Sequence, residues 1–326
     1  MARIARFLGR RLVQAAGVIL GIAVINFLLV HLAPGDAVEV LAGEAGGAGD
    51  PGYVERLRAR FGLDRPLHEQ LALYLWNVVR LDFGYSFRHG TDVLDLILGR
   101  VPATLLLMVT SIAAAFLLGL VLGVTAARRV NTVTDNVIAL VALLSYAIPL
   151  FWLGLMLVVL FSVMLGWLPS GGISTVGVDQ SPLAYAADVA RHAVLPTVTL
   201  TLFYMAVYTR LMRASMLEVT GHDFVRTARA KGLSERAVIW RHVLKNALLP
   251  MVTMIGMQVG SLLGGAVMVE MVFGWPGLGR LAFEAILARD LNLLLGILLL
   301  SSILVVAANI LVDLAYAWLD PRIEVR

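Results

Sequence analysis

Apolar runs of membrane length alternate with polar segments along most of the chain. About 20 apolar residues are enough for a helix to cross the hydrocarbon core of a bilayer, so the pattern predicts six membrane-spanning helices. Their predicted bounds are residues 12–32, 104–127, 137–165, 194–212, 248–273 and 293–318. The third run is too short for two full crossings and contains Pro149, which predicts one helix that is kinked or tilted there. Five spans, or a third span split in two, are the alternatives.

The first apolar run also has the outline of a signal peptide, because arginines precede it. Its length is sufficient to span a bilayer, and no cleavage pattern of small residues is evident. We therefore expect a first helix that stays in the membrane.

The composition supports a membrane protein. The chain is 60% hydrophobic and 15% charged, with a mean hydropathy of +0.86, whereas soluble domains carry about 25% charged residues. The chain has no cysteine, which excludes disulfides and thiolate chemistry on this chain.

The distribution of Lys and Arg predicts the orientation. If the N-terminus is cytoplasmic, sixteen of the 26 basic residues fall in cytoplasmic segments. Most of the other ten lie in one long loop, residues 34–100, and loops of that length carry little weight in the positive-inside rule. We therefore expect both termini, and the polar segment between the fourth and fifth spans, to face the cytoplasm.

The first external loop, residues 34–100, contains patterns of secondary structure and is therefore more than a simple connection. It contains ten acidic and seven basic residues, with helical patterns at residues 53–61 and 67–79. Glycine-rich turns at residues 43–52 and at Phe83, Gly84 and Tyr85 separate them. The pattern predicts a small ordered layer on the outer surface.

Residues 218–250, called the polar segment below, contain two short helical patterns and six Arg or Lys residues. Asp223 is a candidate N-cap for a helix over residues 224–231, and Gly232 suits the left-handed position that follows a helix. Ser234 is a candidate N-cap for a second helix, residues 235–247.

The second predicted helix has two unlike faces. Val238 or Ile239, Val243 and Ala247 share an apolar side, whereas Arg241 and Lys245 lie four residues apart on another. One interpretation is an interfacial helix attracted to anionic lipid. A DNA-binding helix-turn-helix is disfavoured, because membrane spans adjoin the segment at both ends.

Residues 226–236 of the polar segment resemble the "EAA" loop of ABC importer permeases. Ala228 and Gly232 match the family pattern, whereas Arg226 and Thr227 stand where Glu and Ala are usual. In that family the loop forms coupling helices that sit in a groove of the cytoplasmic ATPase subunit. The resemblance implies a coupling role for Asp223, Arg226, Ala228, Arg229, Lys231, Gly232, Ser234, Glu235 and Arg241.

Further motifs, in order along the chain, resemble the dipeptide, oligopeptide and nickel branch of these importers. They comprise residues 29–36, 61–66, 82–87, 100–104, 270–279 and 319–322. The match implies an all-α membrane protein with the type I ABC importer permease fold, six spans and a large extracytoplasmic loop after the first helix. It implies an N-terminal helix and loop at residues 1–101, a permease core at 102–319 with its coupling loop at 214–248, and a cytoplasmic tail at 320–326.

The resemblance also implies the assembly. A second permease, two cytoplasmic ATPases and an extracytoplasmic binding protein are the expected partners, in a bacterial or archaeal plasma membrane. Lys231 and Lys245 are the only lysines, and neither lies in a phosphate-binding loop, so ATP and Mg²⁺ are expected on the partners. No catalytic residue, cofactor or metal site is expected on this chain. The cargo stays open among dipeptide, oligopeptide, nickel, glutathione and other solutes.

A secondary transporter driven by an ion gradient is the alternative function. Such a protein is expected to show paired charged residues at mid-membrane and internal repeats, and the sequence shows neither clearly. An intramembrane serine protease is disfavoured, because Ser170 and His192 both fall in a predicted outer loop and no base is patterned on a span.

Small and polar residues within the spans are candidates for helix packing or for lining a pathway. Gly119 and Gly123 on the second span are predicted to pack. Glu270 and Asp313 are expected near span ends, where solvent reaches them. The candidates for a pathway or for packing are Pro149, Gly256, Gln258, Gly260 and Gly264.

Overall fold

The computed structural model describes residues 2–32, 65–86 and 88–319, except for the side chains of residues 2–8, 30, 259–265, 313 and 315–319. These residues form helices and one small hairpin. The elements are α1 (Ala2–Leu32), α2 (Leu67–Val79), β1 (Tyr85–Ser86), β2 (Thr91–Asp92), α3 (Val93–Arg128), α4 (Val133–Ala147), α5 (Leu150–Leu157), α6 (Pro182–Thr220), α7 (Asp223–Ala230), α8 (Glu235–Ala237), α9 (Leu244–Val272), α10 (Leu278–Ala288) and α11 (Leu291–Leu319). Two π-helical runs, Val158–Met164 and Val238–Val243, extend α5 and join α8 to α9.

The described helices match most of the predicted spans. Four of them are long and apolar enough to cross a membrane: α1, α3, α6 and α11, with the apolar stretches Gly9–Leu29 and Leu291–Val312 in the first and last. The predicted fifth span coincides with α9, some of whose side chains lie outside the described set.

The predicted kink at Pro149 is a break between two helices. The segments Val133–Ala147 and Leu150–Met164 are bent by 102° relative to each other, the geometry of either a broken span or a re-entrant loop. Ile148, the residue before the proline, has an extended backbone with ψ 129°, because the proline ring disfavours helical geometry at the preceding position. Pro149 occupies the N-cap position of α5, and its carbonyl accepts from the Leu153 N–H at 2.9 Å.

The chain divides into two compact units, and the larger comprises residues Pro102–Arg280 and Leu311–Pro321. Its core contains a close contact between α3 and α6. A Cβ on Gly119 would collide with the Cβ of Tyr208, and one on Gly123 would lie 2.5 Å from the Cβ of Met212. Tyr208 and Met212 are buried. The predicted packing role of the two glycines is therefore confirmed.

The other unit comprises Met1–Val101, Leu281–Ile310 and Arg322–Arg326. Its hairpin pairs Ser86 with Thr91. The buried Ser86 hydroxyl donates to the Asp290 carboxylate at a distance of 2.5 Å. Asp290 also accepts from the Leu293 N–H at 3.1 Å, which caps the start of α11. The predicted helix over residues 67–79 is confirmed as α2. The predicted turns at 43–52 and helix at 53–61 lie outside the described residues.

The contact between α3 and α6 predicts that Gly123→Ala will lower the thermal unfolding midpoint of the purified protein by several degrees. The added methyl group must push the two helices apart, and overpacking typically costs about 1–3 kcal/mol. Gly99→Ala, on the same helix, is the matched control, because a Cβ there would meet nothing within 4 Å. Equal midpoints for the two variants would contradict the close contact.

Candidate functional site

The first helix of the polar segment, α7, is amphipathic. Val225 and Ala228 are buried, with 0% and 4% of their surface exposed, whereas Arg226 and Asp223 lie on the exposed side and form an ion pair of 3.6 Å. The prediction that Asp223 caps this helix is wrong. His222 occupies the cap position and its carbonyl accepts from the Val225 N–H at 3.1 Å, so the helix begins one residue earlier than predicted.

The end of α7 is closed by a left-handed turn at Gly232. This residue has φ +77°, as its sequence position predicted. The N–H of Leu233 donates to the Ala228 carbonyl at 3.4 Å and the N–H of Gly232 donates to the Arg229 carbonyl at 2.9 Å. This pair of bonds is the Schellman motif, which satisfies carbonyls that a helix end would otherwise leave unpaired.

The second helix starts as predicted. The Ser234 hydroxyl accepts from the Ala237 N–H at 3.4 Å, the N-cap geometry that the sequence indicated. Across the turn, the Arg229 Nε donates to the Glu235 Oε1 at 2.7 Å. Both side chains of this pair are exposed, so it orders the turn and contributes little to stability, about 0.5 kcal/mol.

The second helix does not end at Ala247. It continues from α8 through the π-helical run Val238–Val243 into α9, which extends to Val272. The predicted apolar face is confirmed, since Val238, Val243 and Ala247 have no exposed surface. The residue after Ala247 that could end a helix is Pro250, and it lies inside α9 without ending it.

The exposed side of α7, α8 and the π-helical run that follows them, Val238–Val243, is basic with two aromatic side chains. Arg226, Lys231 and Arg241 are exposed, and Phe224 and Trp240 expose 41% and 55% of their surface. Basic residues with exposed aromatic side chains suit a protein partner that offers carboxylates around an apolar pocket.

An ion pair between Arg213 and Asp135 joins α6 to the start of α4. Arg213 lies on α6, ten residues before the first residue of α7. Arg213 donates from Nε and Nη2 to the two carboxylate oxygens of Asp135, both at 2.7 Å. The Asp135 side chain is only 3% exposed, and it also accepts from the Asn131 N–H at 3.0 Å. A bidentate geometry of this kind fixes the relative orientation of the two helices.

Glu270 forms a second polar cluster at the end of α9. It has no exposed surface and accepts from the Thr104 hydroxyl at 2.9 Å and from the Arg280 N–H at 2.9 Å. The Gly279 N–H also donates to it, and the Leu278 N–H donates to the Thr104 hydroxyl at 2.7 Å. One carboxylate and one hydroxyl thus satisfy the first three N–H groups of α10.

The residue at the N-cap position of α10 is Gly277, and it has no side chain with which to cap. A Cβ there would overlap the Glu270 carboxylate, so the glycine makes room for a cap supplied from α9. The expectation that solvent reaches Glu270 is wrong. In the sequence, Glu270 stands out as a polar residue near a span end and as part of the family motif of residues 270–279, and neither feature predicts that it caps α10. One feature of the sequence could have indicated a cap from elsewhere: the helix that starts at Leu278 is preceded by a glycine, which has no capping side chain.

The candidate pathway residues on α9 are not all described. Gly256 and Gln258 are half-buried, and the side-chain positions of Gly260 and Gly264 lie outside the described set, as does the side chain of Asp313. Pro149 lies at the break between α4 and α5. Among the described side chains, no group of three or more His, Cys, Asp or Glu residues could hold a metal ion.

Two protein families match the chain. "Binding-protein-dependent transport system inner membrane component" matches residues 119–325, and the N-terminal family of such membrane components matches residues 4–108.

Curated relatives match along nearly the whole length. The oligopeptide transport system permease protein AppB of Bacillus subtilis (strain 168) is 38% identical over 98% of this chain and 99% of its own. The dipeptide transport system permease protein DppB of Escherichia coli (strain K12) is 39% identical over 98% of each chain.

A solved structure of the MetNI methionine ABC transporter in an inward-facing conformation is similar in fold. The likeness has a TM-score of 0.54 and 21% sequence identity, and covers 69% of this chain and 96% of the other.

The Glu270 cluster predicts that Glu270→Gln will lower the thermal unfolding midpoint. The glutamine amide keeps one acceptor oxygen and places an NH2 donor at the position of the other, so either the Thr104 hydroxyl or the Gly279 and Arg280 N–H groups would face a donor instead of an acceptor. A buried donor left unpaired costs about 1–3 kcal/mol. Glu218→Gln on α6 is the matched control, because Glu218 is exposed. Equal stability of the two variants would contradict the capping role of Glu270.

Proposed function

Because the chain belongs to the family of binding-protein-dependent transport system inner membrane components, we propose that it encloses a peptide pathway together with a second permease. It is the membrane-spanning permease subunit of an ATP-binding-cassette importer. Relatives named for oligopeptide and dipeptide transport support short peptides as the cargo. These relatives favour an importer over the secondary transporter that the sequence left as the alternative.

The chain is a multi-pass inner-membrane protein, and its proposed topology has six spans with both termini in the cytoplasm. The Arg and Lys distribution supports this orientation. The proposed partners are a second permease, two cytoplasmic ATPases that carry ATP and Mg²⁺, and an extracytoplasmic binding protein. This chain contributes no catalytic residue in that assembly.

The proposed ATPase-docking surface is the α7–α8 pair, and the closed turn between its helices is the observation that carries the proposal. Gly232 and Ala228 shape the turn, Arg229 and Glu235 join its two sides, and Ser234 starts the second helix. The side chains proposed to face the ATPase are Asp223, Arg226, Lys231 and Arg241.

The attachment of this surface to long helices supports a mechanical role. α7 follows α6 directly, and α8 is continuous with α9 through the π-helical run. When ATP closes the two ATPases, a displacement of α7–α8 would move α6 and α9 together. The Asp135–Arg213 pair would make α4 follow α6. Transport is coupled if ATP and substrate-loaded binding protein favour the same state.

Residues on α9 are proposed to line the pathway or to pack against the second permease. Gly256, Gly260 and Gly264 recur every fourth residue, and this spacing lets helix backbones approach closely. Gln258 lies between them and offers a hydrogen-bonding side chain.

The docking proposal predicts opposite outcomes for two substitutions at Gly232. Valine is β-branched and strained at φ +77°, so Gly232→Val should reduce peptide uptake at least tenfold and weaken co-purification of the ATPase. Asparagine tolerates the left-handed conformation, so Gly232→Asn should retain most of the uptake. A Cβ at this position meets nothing within 4 Å, so steric collision does not confound the comparison.

Normal uptake and normal ATPase co-purification by Gly232→Val, with the left-handed turn lost, would contradict the docking role. The amount of inserted protein, measured by immunoblot of membranes, serves as the control for folding.

The importer function itself predicts that uptake into sealed vesicles will require ATP on the ATPase side and the binding protein on the other. Collapse of the ion gradient with ionophores should leave the uptake rate unchanged. Uptake by this chain alone, driven by an ion gradient without ATP, would overturn the proposed function.

A further inference from the structure

Helix α2 (Leu67–Val79) has an exposed apolar face that the transport function does not explain. Leu73, Trp76 and Val79 expose 40%, 54% and 74% of their surface, and no residue of the helix is fully buried. Apolar area left in water is unfavourable by about 25 cal/mol per Å². A face of this kind therefore indicates an apolar neighbour.

The contacts of α2 with α1 set its depth relative to the membrane. The His31 Nε2 lies 3.0 Å from the Gln70 Oε1, and the rings of Phe27 and Tyr74 are 5.9 Å apart. As the chain advances along α2 from residue 70 to 74, its partners on α1 recede from 31 to 27. The two helices are antiparallel, so α2 runs back beside the last turns of the membrane-spanning stretch Gly9–Leu29.

A third helix meets them at the same level. Asn26 is 3% exposed, and its side-chain amide donates to the Leu295 carbonyl near the start of α11 at 3.5 Å. Asn26 also makes a side-chain hydrogen bond with Tyr74. Helix α2 therefore lies at the depth where the spans in α1 and α11 reach the same surface of the membrane. On α1, Ile25 and Leu29 expose 56% and 53% of their surface at this level, as expected for lipid-facing positions.

The residue that follows α2, Arg80, packs on the same apolar face. Its guanidinium lies over the Trp76 ring, 4.7 Å from the ring centroid, and the stem of an arginine in such a position covers apolar surface.

We propose that α2 is a membrane anchor in the leaflet where α1 ends, which is the outer leaflet in the proposed orientation. Leu73, Trp76 and Val79 contact lipid acyl chains. The proposal rests on α1 being a membrane span and is independent of the cargo and of the ATPase-docking surface.

The absence of cysteine from the chain allows a direct test by site-directed spin labelling. Leu73→Cys, Trp76→Cys and Val79→Cys are labelled in the full complex, in vesicles of phosphatidylethanolamine and phosphatidylglycerol. Collision rates are measured with oxygen, which concentrates in lipid, and with a water-soluble nickel chelate. Ile25→Cys on α1 is the lipid-facing reference and Val176→Cys, 94% exposed, is the aqueous reference. The unsubstituted complex accounts for labels on partner subunits.

The ratio of oxygen to nickel collisions at the three positions is expected to be several-fold above that of Val176 and close to that of Ile25. A ratio equal to that of Val176 would place the face in water and overturn the proposal. Protection from both reagents would show that a protein, such as the second permease or the binding protein, covers the face, and would overturn it equally.

Discussion

In the hydrocarbon core of a membrane no water is present to pair with backbone N–H and C=O groups, so the protein must satisfy them itself. Helices do this along their length, and the difficulty is concentrated at their ends. Two solutions occur near the ends of the predicted spans in the described part of the chain. Glu270 and Thr104 cap α10 through side chains from other elements, and Asp290 caps its own helix, α11. In the polar segment, which we expect outside the membrane, Gly232 closes the end of α7 through backbone hydrogen bonds. The arrangement of the short helices follows from where these caps are supplied.

Features that depend on local chemistry were predictable from the sequence. Apolar runs locate the long helices, and the left-handed turn at Gly232 and the cap at Ser234 follow from residue types at fixed spacing. The role of Glu270 was not predictable in this way, because its partner Thr104 is 166 residues away. A side chain that caps a helix other than its own leaves no local pattern. The start of α7 differs from the prediction by one residue, which is within the ordinary spread of helix ends. The helix predicted to end at Ala247 is continuous with the predicted fifth span, because the two predicted elements adjoin in sequence.

Two contacts on α6 give the larger unit its rigidity. Gly119 and Gly123 let α3 approach the α6 backbone closely, and the Asp135–Arg213 pair fixes α4 to the same helix. Close packing of this kind transmits displacement because cores are dense and resist compression. Helix α7 follows α6 after a break of two residues, Gly221 and His222. The surface proposed to meet the ATPase is therefore attached to a helix that already holds two others.

The open space around Gly232 has a thermodynamic consequence. Nothing within 4 Å of a Cβ at this position forces the backbone into its left-handed form, so the turn is maintained by its own hydrogen bonds and by the Arg229–Glu235 pair. Such a turn is preorganised in the free subunit. A partner that binds it loses little conformational entropy on association, and differences in affinity among variants would then appear mainly in the dissociation rate.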